Sequence, residues 1–405
     1  MKKPAEIEIT ARSGQTGGRR DTCPVCGGGD ALEFFGLAGV PTQDGAMWPT
    51  RTEALQAPVG DIRLVYCRSC QYIWNRAHDP GHITFDRYDF SMQSSPVFQR
   101  FIGNLSRRLI ATYHIRGKKI VDIGCGDGYF LGTLCRMGGN TGLGIDPGHT
   151  PVSDGSAGVR YVKDYYSERY TAHARGLVSC RHVLNAVPDP VGFTSLIRRT
   201  MNGDKTSTLY VEVPNASYNF GGTLVWNVAY EHKSWFTAAS IRALLSRSGF
   251  RVLRVRPCWG AEYLSIEAVP SAGEGSRGRR HPAPAREFER TLAAFAGTYE
   301  RKVRKVQRKL DSLSRSGLRT AIWGAGARAL TLLSVCDVGG SALRVVDINP
   351  RRQGMYLPRT GYRVWAPDSL RRFRPDLVII SNPRFATEIR SQARALGLAS
   401  RFLTL

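Results

Sequence analysis

One glycine-rich stretch, residues 121–131, constrains the fold of this chain more than any other feature. It reads Val-Asp-Ile-Gly-Cys-Gly-Asp-Gly-Tyr-Phe-Leu: a short β-branched run, three glycines at alternate positions, and an apolar helix start. Because glycine has no Cβ, a ligand can lie against the bare backbone of Gly124, Gly126 and Gly128. Asp122 stands at the carboxyl end of the predicted strand, where open α/β sheets bind their ligands.

A second acid follows at the spacing of a βαβ unit. Residues 144–147 read Gly-Ile-Asp-Pro and predict the end of a second strand, where Asp146 could bond a ribose diol. The spacing G-x-G-x-G differs from the dinucleotide fingerprint G-x-G-x-x-G and suits S-adenosylmethionine (SAM) better. Asp164, after a third predicted strand, could reach the adenine amino group, although an exposed loop aspartate is an equally good interpretation. We therefore predict SAM as a ligand of this turn, with an ordinary βα turn as the alternative.

The alternation of strand and helix patterns predicts an α/β fold with a Rossmann-like class I SAM methyltransferase core. Strands are predicted at residues 119–123, 141–146, 159–163, 176–181, 207–213, 251–256 and 262–268. Another strand–glycine turn–helix pattern at residues 320–328 begins a smaller Rossmann-like unit. Its G-x-G-x-x-A run and Asp347 imitate a dinucleotide site, but about 90 residues amount to little more than one mononucleotide-binding half. We therefore do not predict NAD there.

A chain of 405 residues is too long for a single core, so we expect several domains. The predicted units are a disordered tail (1–20), a zinc-binding domain (21–80), the methyltransferase domain (81–270), a linker with a basic helix (271–313), and a C-terminal Rossmann-like substrate-binding domain (314–405). The linker prediction rests on its proline, glycine, serine and arginine content.

Four cysteines predict a metal site. Cys23 and Cys26 form one C-x-x-C pair, and Cys67 and Cys70 form another. In a cytoplasmic chain, two such pairs are best explained by one tetrahedral Zn²⁺ with four thiolate ligands. A redox pair is the alternative, but it explains two pairs poorly. Four protein ligands leave no open coordination position, so the predicted role is structural.

Charge and apolar content narrow the class of protein. No apolar run approaches the ~18 residues that span a bilayer, and the N-terminus lacks the apolar core of a signal peptide. We expect a cytoplasmic protein that is a monomer or a weak dimer. The net charge of +24 admits nucleic-acid binding, an anionic small substrate, or an arginine-rich solvated surface. Arginine is spread far beyond the candidate sites, which favours the last interpretation.

Taken together, these motifs resemble the three-part sugar C-methyltransferases of deoxysugar and antibiotic biosynthesis. The resemblance covers nearly everything after the N-terminal tail. Besides the cysteine pairs and the glycine turn, it includes Val-Glu-Val-Pro-Asn at 211–215, Glu-His-x-Ser-x-Phe at 231–236, Val-Asp-x-Asn-Pro at 346–350 and Gln-Gly-x-Tyr-Leu-Pro at 353–358. It implies SAM as methyl donor, a structural zinc ion, and a nucleotide-linked keto sugar bound between the SAM domain and the C-terminal unit.

The resemblance also implies catalytic residues. Glu231 and His232 match the family's Glu-His pair. His232 would accept a proton or relay it, and Glu231 would orient His232 or bond the sugar, so that an enolate forms and attacks the methyl group in line. Two family groups are absent. A Tyr-His dipeptide usually precedes Glu-His where this chain has Ala229 and Tyr230, and a histidine in the loop after the fourth strand is replaced by Ala186. Tyr230 could substitute by a one-residue displacement.

Three other functions stay open at this point. The first is N- or O-methylation of a sugar or another natural product, because a neutral amine needs positioning rather than a base. The second is RNA methylation, against which the sequence offers no RNA-binding fold signature. The third is a degenerate SAM-binding protein without catalysis, which the intact glycine turn disfavours.

The family's tyrosine- and serine-rich segment is partly kept, in Tyr88, Ser94 and Ser95.

Overall fold

The computed structural model describes residues 22–85, 87–89, 91–148, 158–173, 176–201, 207–222, 224–271, 286–338 and 343–405. The predicted tail and residues 272–285 of the predicted linker lie outside this part.

The strands are β1 Ala31–Pro41, β2 Val59–Cys67, β3 Ile73–Asn75, β4 Lys119–Ile123, β5 Thr141–Ile145, β6 Val159–Val162, β7 Gly176–Arg181, β8 Thr208–Pro214, β9 Ser234–Trp235, β10 Phe250–Cys258, β11 Tyr263–Pro270, β12 Thr320–Trp323, β13 Leu343–Val346, β14 Val364–Trp365, β15 Leu377–Ile380 and β16 Arg401–Thr404.

Helices lie between most of these strands. They are α1 Arg51–Leu55, α2 Pro96–Tyr113, α3 Tyr129–Gly138, α4 Pro190–Thr200, α5 Ala216–Gly221, α6 Ala238–Arg247, α7 Arg286–Ala293, α8 Phe295–Arg315, α9 Ala327–Val335, α10 Leu370–Phe373 and α11 Ala386–Ala395. Short 3₁₀ helices occupy Pro80–His82, Glu168–His173, Val225–Asn227, Pro367–Ser369 and Pro383–Phe385. No helix in the described ranges is both long enough and apolar enough to cross a membrane.

The central sheet has seven strands in the order β10-β11-β8-β7-β4-β5-β6. Strands β6, β5, β4, β7 and β8 run parallel, whereas β11 pairs antiparallel with both β8 and β10. The β8 residues are buried throughout, as expected for a parallel strand covered on both faces. The chain reverses its direction of winding at β4, so a ligand crevice opens between the carboxyl ends of β4 and β7. This arrangement confirms the predicted α/β, Rossmann-like core.

A second sheet joins the N-terminal region to the central domain. Its order is β1-β2-β3-β9, and every pairing is antiparallel. Strand β9 comes from the segment between β8 and α6, about 160 residues after β3 in the sequence, and pairs through Ile73 with Trp235 and through Trp74 with Ser234. The Tyr72 hydroxyl also lies 2.5 Å from Ser234 Oγ. The segment that carries Glu231 and His232 is therefore anchored in the N-terminal sheet.

The C-terminal unit is a five-stranded parallel sheet. Its order is β14-β13-β12-β15-β16, with β12 in the middle. Its direction of winding also reverses at the central strand, so a second crevice opens at the glycine turn after β12.

An aromatic cluster connects helix α8 to the N-terminal sheet. Phe295 is 1% exposed, and its ring centroid lies 5.1 Å from those of both Phe35 and Phe220. Tyr299, one turn later, packs against Phe35 at 4.9 Å. The basic helix predicted within residues 271–313 is thus two helices, α7 and α8, and the α8 side that bears these rings belongs to the core.

Phe295→Ala is expected to destabilise the protein by about 3–5 kcal/mol, because it removes a fully buried ring and leaves a cavity. Urea unfolding monitored by tryptophan fluorescence measures this loss. Leu253→Ala is the matched control: Leu253 is 39% exposed on β10, so its truncation should change stability by no more than about 0.5 kcal/mol. Equal losses in the two variants would contradict the packing described for α8.

Candidate active site

The glycine turn after β4 requires glycine at each of its three positions. Gly124, Gly126 and Gly128 have φ angles of 70°, 56° and 84°, in the left-handed region that other residues rarely adopt. A Cβ on Gly124 would overlap the Val183 side chain. At Gly126, by contrast, no described atom lies within 4 Å of the point where a Cβ would stand. The turn is therefore packed on one side and open on the other, as a ligand cradle must be.

One of the predicted acids fixes this turn. Asp146 accepts the backbone N–H of Gly126 at 2.9 Å and that of Gly148 at 2.7 Å. Asp122 instead lies in β4, just before the turn, where it is 3% exposed and accepts a 2.6 Å hydrogen bond from Ser179 Oγ. Burial raises the pKa of the Asp122 carboxyl to about 6.

The third predicted acid, Asp164, lies in the loop after β6. The Tyr170 hydroxyl donates to it at 2.5 Å, and Arg169 forms an ion pair with it at 2.9 Å. The bond from Tyr170 lowers the pKa of the Asp164 carboxyl. Its backbone N–H donates to the Asp146 carbonyl oxygen at 3.3 Å, so these two predicted residues are neighbours.

A cavity of about 320 Å³ separates the central sheet from the C-terminal sheet. Its walls include Tyr88, His182 and His232 on the methyltransferase side, and Gly324, Arg328 and Asp347 on the C-terminal side. The volume lies within the range of small-molecule sites.

His232 lies in the cavity wall, where no carboxylate of the described residues bonds its imidazole. Its Nδ1 is buried and has no hydrogen-bond partner among the described residues. Burial lowers the pKa of its imidazole to about 4, and the charges of His182 and His78 act in the same direction. His232 is therefore neutral at pH 7 and can accept a hydrogen bond or a proton from a ligand.

Glu231 lies behind the wall, and its carboxyl group bonds residues other than His232. It is 2% exposed, accepts the Gly45 N–H at 2.9 Å, and accepts a hydrogen bond from the Tyr88 hydroxyl. Burial raises the pKa of the Glu231 carboxyl to about 7, even though these bonds favour the charged form. Asp44, which does line the cavity, also has a raised pKa because of burial and the charge of Glu231. Glu231 therefore acts on the cavity through two residues that line it: it bonds the Tyr88 hydroxyl, and its charge raises the pKa of Asp44.

Tyr230 does not line the cavity, contrary to its expected role as a replacement for the absent family groups. Its ring is 1% exposed and stacks on His78 at 5.4 Å, and a Cβ on Gly60 would overlap it. Its hydroxyl accepts the Asp79 N–H at 2.9 Å. The side chain thus belongs to the core behind the N-terminal sheet. Ala229, one residue earlier, is the neighbour that faces the cavity.

Sequence reasoning missed three wall residues, His182, Asn185 and Asp44. Each is a single polar residue in an apolar or loop context, so no spacing rule singles it out. The only available signal was for His182 and Asn185, which follow the fourth strand of the core, at the switch point where ligands bind.

The C-terminal glycine turn repeats the arrangement of the first one. Gly324 has φ 101°, and Asp347, at the end of the next strand, accepts the Ala325 N–H at 2.7 Å. Arg328, in the first turn of α9, forms an ion pair with Glu262 at 2.9 Å. These contacts attach the C-terminal unit to the central domain at the cavity.

The four predicted metal ligands come together. The Sγ atoms of Cys23, Cys26, Cys67 and Cys70 all lie within 4.8 Å of one another, with Cys23–Cys70 and Cys26–Cys67 each at 3.6 Å. The Gly28 N–H lies 3.4 Å from Cys26 Sγ. Such a cluster could hold one tetrahedral metal ion.

Two family models match the chain. One, described as a methyltransferase domain, matches residues 97–255, and the other, described as a C-methyltransferase C-terminal domain, matches residues 285–403. C-methyltransferase NovU from Streptomyces niveus is 23% identical over 391 residues, which cover 91% of each protein. Ubiquinone biosynthesis O-methyltransferase from Salmonella typhimurium is 34% identical over 83 residues, or 18% of this chain and 34% of that protein.

Solved structures include more distant matches. Magnesium protoporphyrin IX methyltransferase from Synechocystis PCC 6803, with bound SAH, is 18% identical and has a TM-score of 0.33. That match covers 45% of this chain and 88% of the other.

Gly126→Ala is expected to weaken SAM binding at least about tenfold, or about 1.4 kcal/mol, because its Cβ would occupy the open side of the turn. Titration calorimetry with SAM measures the change. Gly139→Ala is the matched control, since Gly139 ends α3 with φ 61° and also has no described atom near the added Cβ. The control should lose about 1–2 kcal/mol of folding stability and keep its SAM affinity. Unchanged SAM affinity in Gly126→Ala would contradict the assignment of this turn.

Proposed function

We propose that this chain, which belongs to the SAM-dependent C-methyltransferase family, methylates a carbon atom of a nucleotide-linked keto-deoxysugar in secondary-metabolite biosynthesis. Membership follows from the two domain matches and from the similarity to NovU along 91% of the chain. The acceptor and the mechanism are the proposed part.

The proposal rests on one observation: the cavity extends from the carboxyl edge of the central sheet to the glycine turn of the C-terminal unit. Its methyltransferase wall offers imidazole and phenol groups, which suit a sugar ketone and its hydroxyl groups. Its C-terminal wall offers Arg328 and the N-terminus of α9, and helix N-termini favour phosphate groups. A nucleotide sugar that spans the cavity would place its keto group beside His232 and its diphosphate beside Gly324.

SAM would lie against the first glycine turn. Its amino-acid portion would lie at the open face of Gly126, its ribose hydroxyls would bond Asp146, and its adenine would lie toward Asp164. Asp122, buried at the end of β4 and bonded to Ser179, would lie next to this site. SAM supplies an electrophilic methyl group.

The residues of the chain make the carbon nucleophile. A base removes the proton next to the ketone, the C–H electron pair becomes the enolate, and the enolate carbon then takes the methyl group. Neutral His232 accepts this proton or relays it. The Tyr88 hydroxyl donates its proton to Glu231, so it can accept a hydrogen bond from a hydroxyl group of the sugar.

A second candidate is methylation of nitrogen or oxygen. Asp44 lies in the wall beside buried Glu231, and its carboxyl group offers a hydrogen-bond partner to an amine or hydroxyl of the acceptor. An amine acceptor also needs no base once it is neutral. An RNA acceptor fits less well, since a cavity of about 320 Å³ suits a small molecule.

For the four-cysteine cluster we propose a structural Zn²⁺. The cluster ties the turn at residues 23–28 to the end of β2, so the ion would stabilise the N-terminal sheet, where β9 is anchored. A cytoplasmic location and a monomeric or weakly dimeric state remain predictions.

His232→Asn and Glu231→Gln are each expected to lower kcat with SAM and a thymidine-diphosphate 4-keto-6-deoxyhexose by about 100-fold or more, with SAM affinity unchanged. Product formation by mass spectrometry and SAM calorimetry measure the two quantities. Tyr230→Phe is the control, because Tyr230 lies in the core behind the cavity wall, and this variant should keep the wild-type turnover. Full activity in His232→Asn and Glu231→Gln would remove both residues from the mechanism, and a loss in Tyr230→Phe equal to theirs would return Tyr230 to it.

Purified protein is expected to contain one zinc ion per chain, and Cys26→Ser should lose it, because three thiolates hold Zn²⁺ more weakly than four. Elemental analysis measures the metal, and a chelator should lower the melting temperature of the wild type. Cys336→Ala, which changes a buried cysteine in the C-terminal unit, is the control and should retain the ion. A full complement of zinc in Cys26→Ser would show that the ion, if present, lies elsewhere.

A further inference from the structure

A second histidine, His182, lies in the cavity wall beside His232. It follows β7, next to β4, and its side chain is 33% exposed. Its backbone has φ 58°, which is uncommon for residues other than glycine, and its N–H donates to the Glu212 carbonyl oxygen at 2.9 Å. With this backbone conformation, the His182 side chain lines the cavity.

A buried carboxylate orients this imidazole. Glu212, in β8, is fully buried, and its Oε2 lies 3.3 Å from His182 Nε2 and 2.8 Å from Arg181 Nε. The Tyr210 hydroxyl donates to its other oxygen. Burial alone would raise the pKa of Glu212, but Arg181 and these bonds outweigh it and lower the pKa to about 2. Glu212 is therefore ionised at neutral pH.

A carboxylate at Nε2 selects the tautomer of the neutral ring that carries its proton on Nε2. The lone pair is then on Nδ1, for which the described residues offer no partner. Asn185 lies in the same wall, 5% exposed, and its Oδ1 also has no partner among the described residues. This part of the wall thus presents two polar groups that a bound molecule would satisfy.

The two wall histidines differ in their carboxylate partners. The carboxylate of Glu212 lies 3.3 Å from His182 Nε2, the arrangement of a catalytic histidine–carboxylate pair. Among the described residues, His232 has no such partner, because Glu231 is turned toward Gly45 and Tyr88. Only His182 is therefore held in one orientation by a buried carboxylate.

We infer that His182, oriented by Glu212, is the general base that removes the proton from the carbon next to the acceptor ketone. The C–H bond breaks, its electron pair becomes the enolate, and the proton moves to Nδ1 of His182 while Glu212 stays ionised. His232 then bonds the acceptor or relays the proton to water. This inference rests on the proposed function for the identity of the acceptor.

Proton removal can be measured apart from methyl transfer. In D₂O, with SAH in place of SAM, proton NMR follows the loss of the signal next to the ketone of a thymidine-diphosphate 4-keto-6-deoxyhexose. His182→Gln, which can still reach Glu212, should exchange about 100-fold more slowly than the wild type, with SAH affinity and melting temperature unchanged. His182→Gln/Ala186→His, which restores a histidine on this loop, should recover at least about tenfold of that rate. Exchange in His182→Gln within threefold of the wild-type rate would overturn the inference.

A second measurement does not need an acceptor. Nitrogen-15 NMR of histidine-labelled protein should show His182 protonated on Nε2, and Glu212→Gln should change that signal. A proton on Nδ1, or a spectrum that Glu212→Gln leaves unaltered, would overturn the orientation by Glu212. If the wild type neither exchanges nor methylates the keto sugar, the proposed acceptor is wrong, and the tautomer then decides whether Glu212 orients His182.

Discussion

The pairing of β9 with β3 is the constraint on which the rest of the site depends. Two residues, Ser234 and Trp235, extend the N-terminal sheet and fix the segment just before them at the edge of the cavity. The Ser234 N–H also donates to the Asn185 carbonyl oxygen at 2.9 Å, which attaches this segment to the loop after β7. The cavity wall is therefore assembled from distant parts of the chain, and the four-cysteine cluster lies at the end of β2 in the same N-terminal sheet.

The same cavity is closed by contacts between the central and C-terminal units. Glu262 is paired with Arg328 at 2.9 Å, and Asp89 with Arg351 at 2.9 Å. Tyr88, next to Asp89, bonds Glu231 from the other side. One short segment, Tyr88 and Asp89, thus joins the Glu231 segment to the C-terminal unit at the edge of the cavity.

The sequence predicted what depends on local pattern. The glycine turn, the strand positions and the cysteine pairs are short-range signals, so residues such as Gly126 and Cys26 could be assigned to their sites. The position of Tyr230 could not, because adjacency to Glu231 says nothing about which side chain faces the core once β9 joins a sheet. Nor could the pairing of His182 with Glu212, which requires the register of β7 against β8, where Arg181 lies opposite Glu212. The sequence therefore did not predict which residues of distant strands lie opposite each other.

A crystal structure with SAH and a thymidine-diphosphate 4-keto-6-deoxyhexose would show where the acceptor binds and which residue reaches its reacting carbon. We expect the sugar to occupy the cavity between His182 and Gly324. The carbon next to its ketone should lie about 3–3.5 Å from Nδ1 of His182, with the SAH sulfur on the opposite face. A sugar bound outside this cavity, or within it with that carbon beyond the reach of both His182 and His232, would contradict the account.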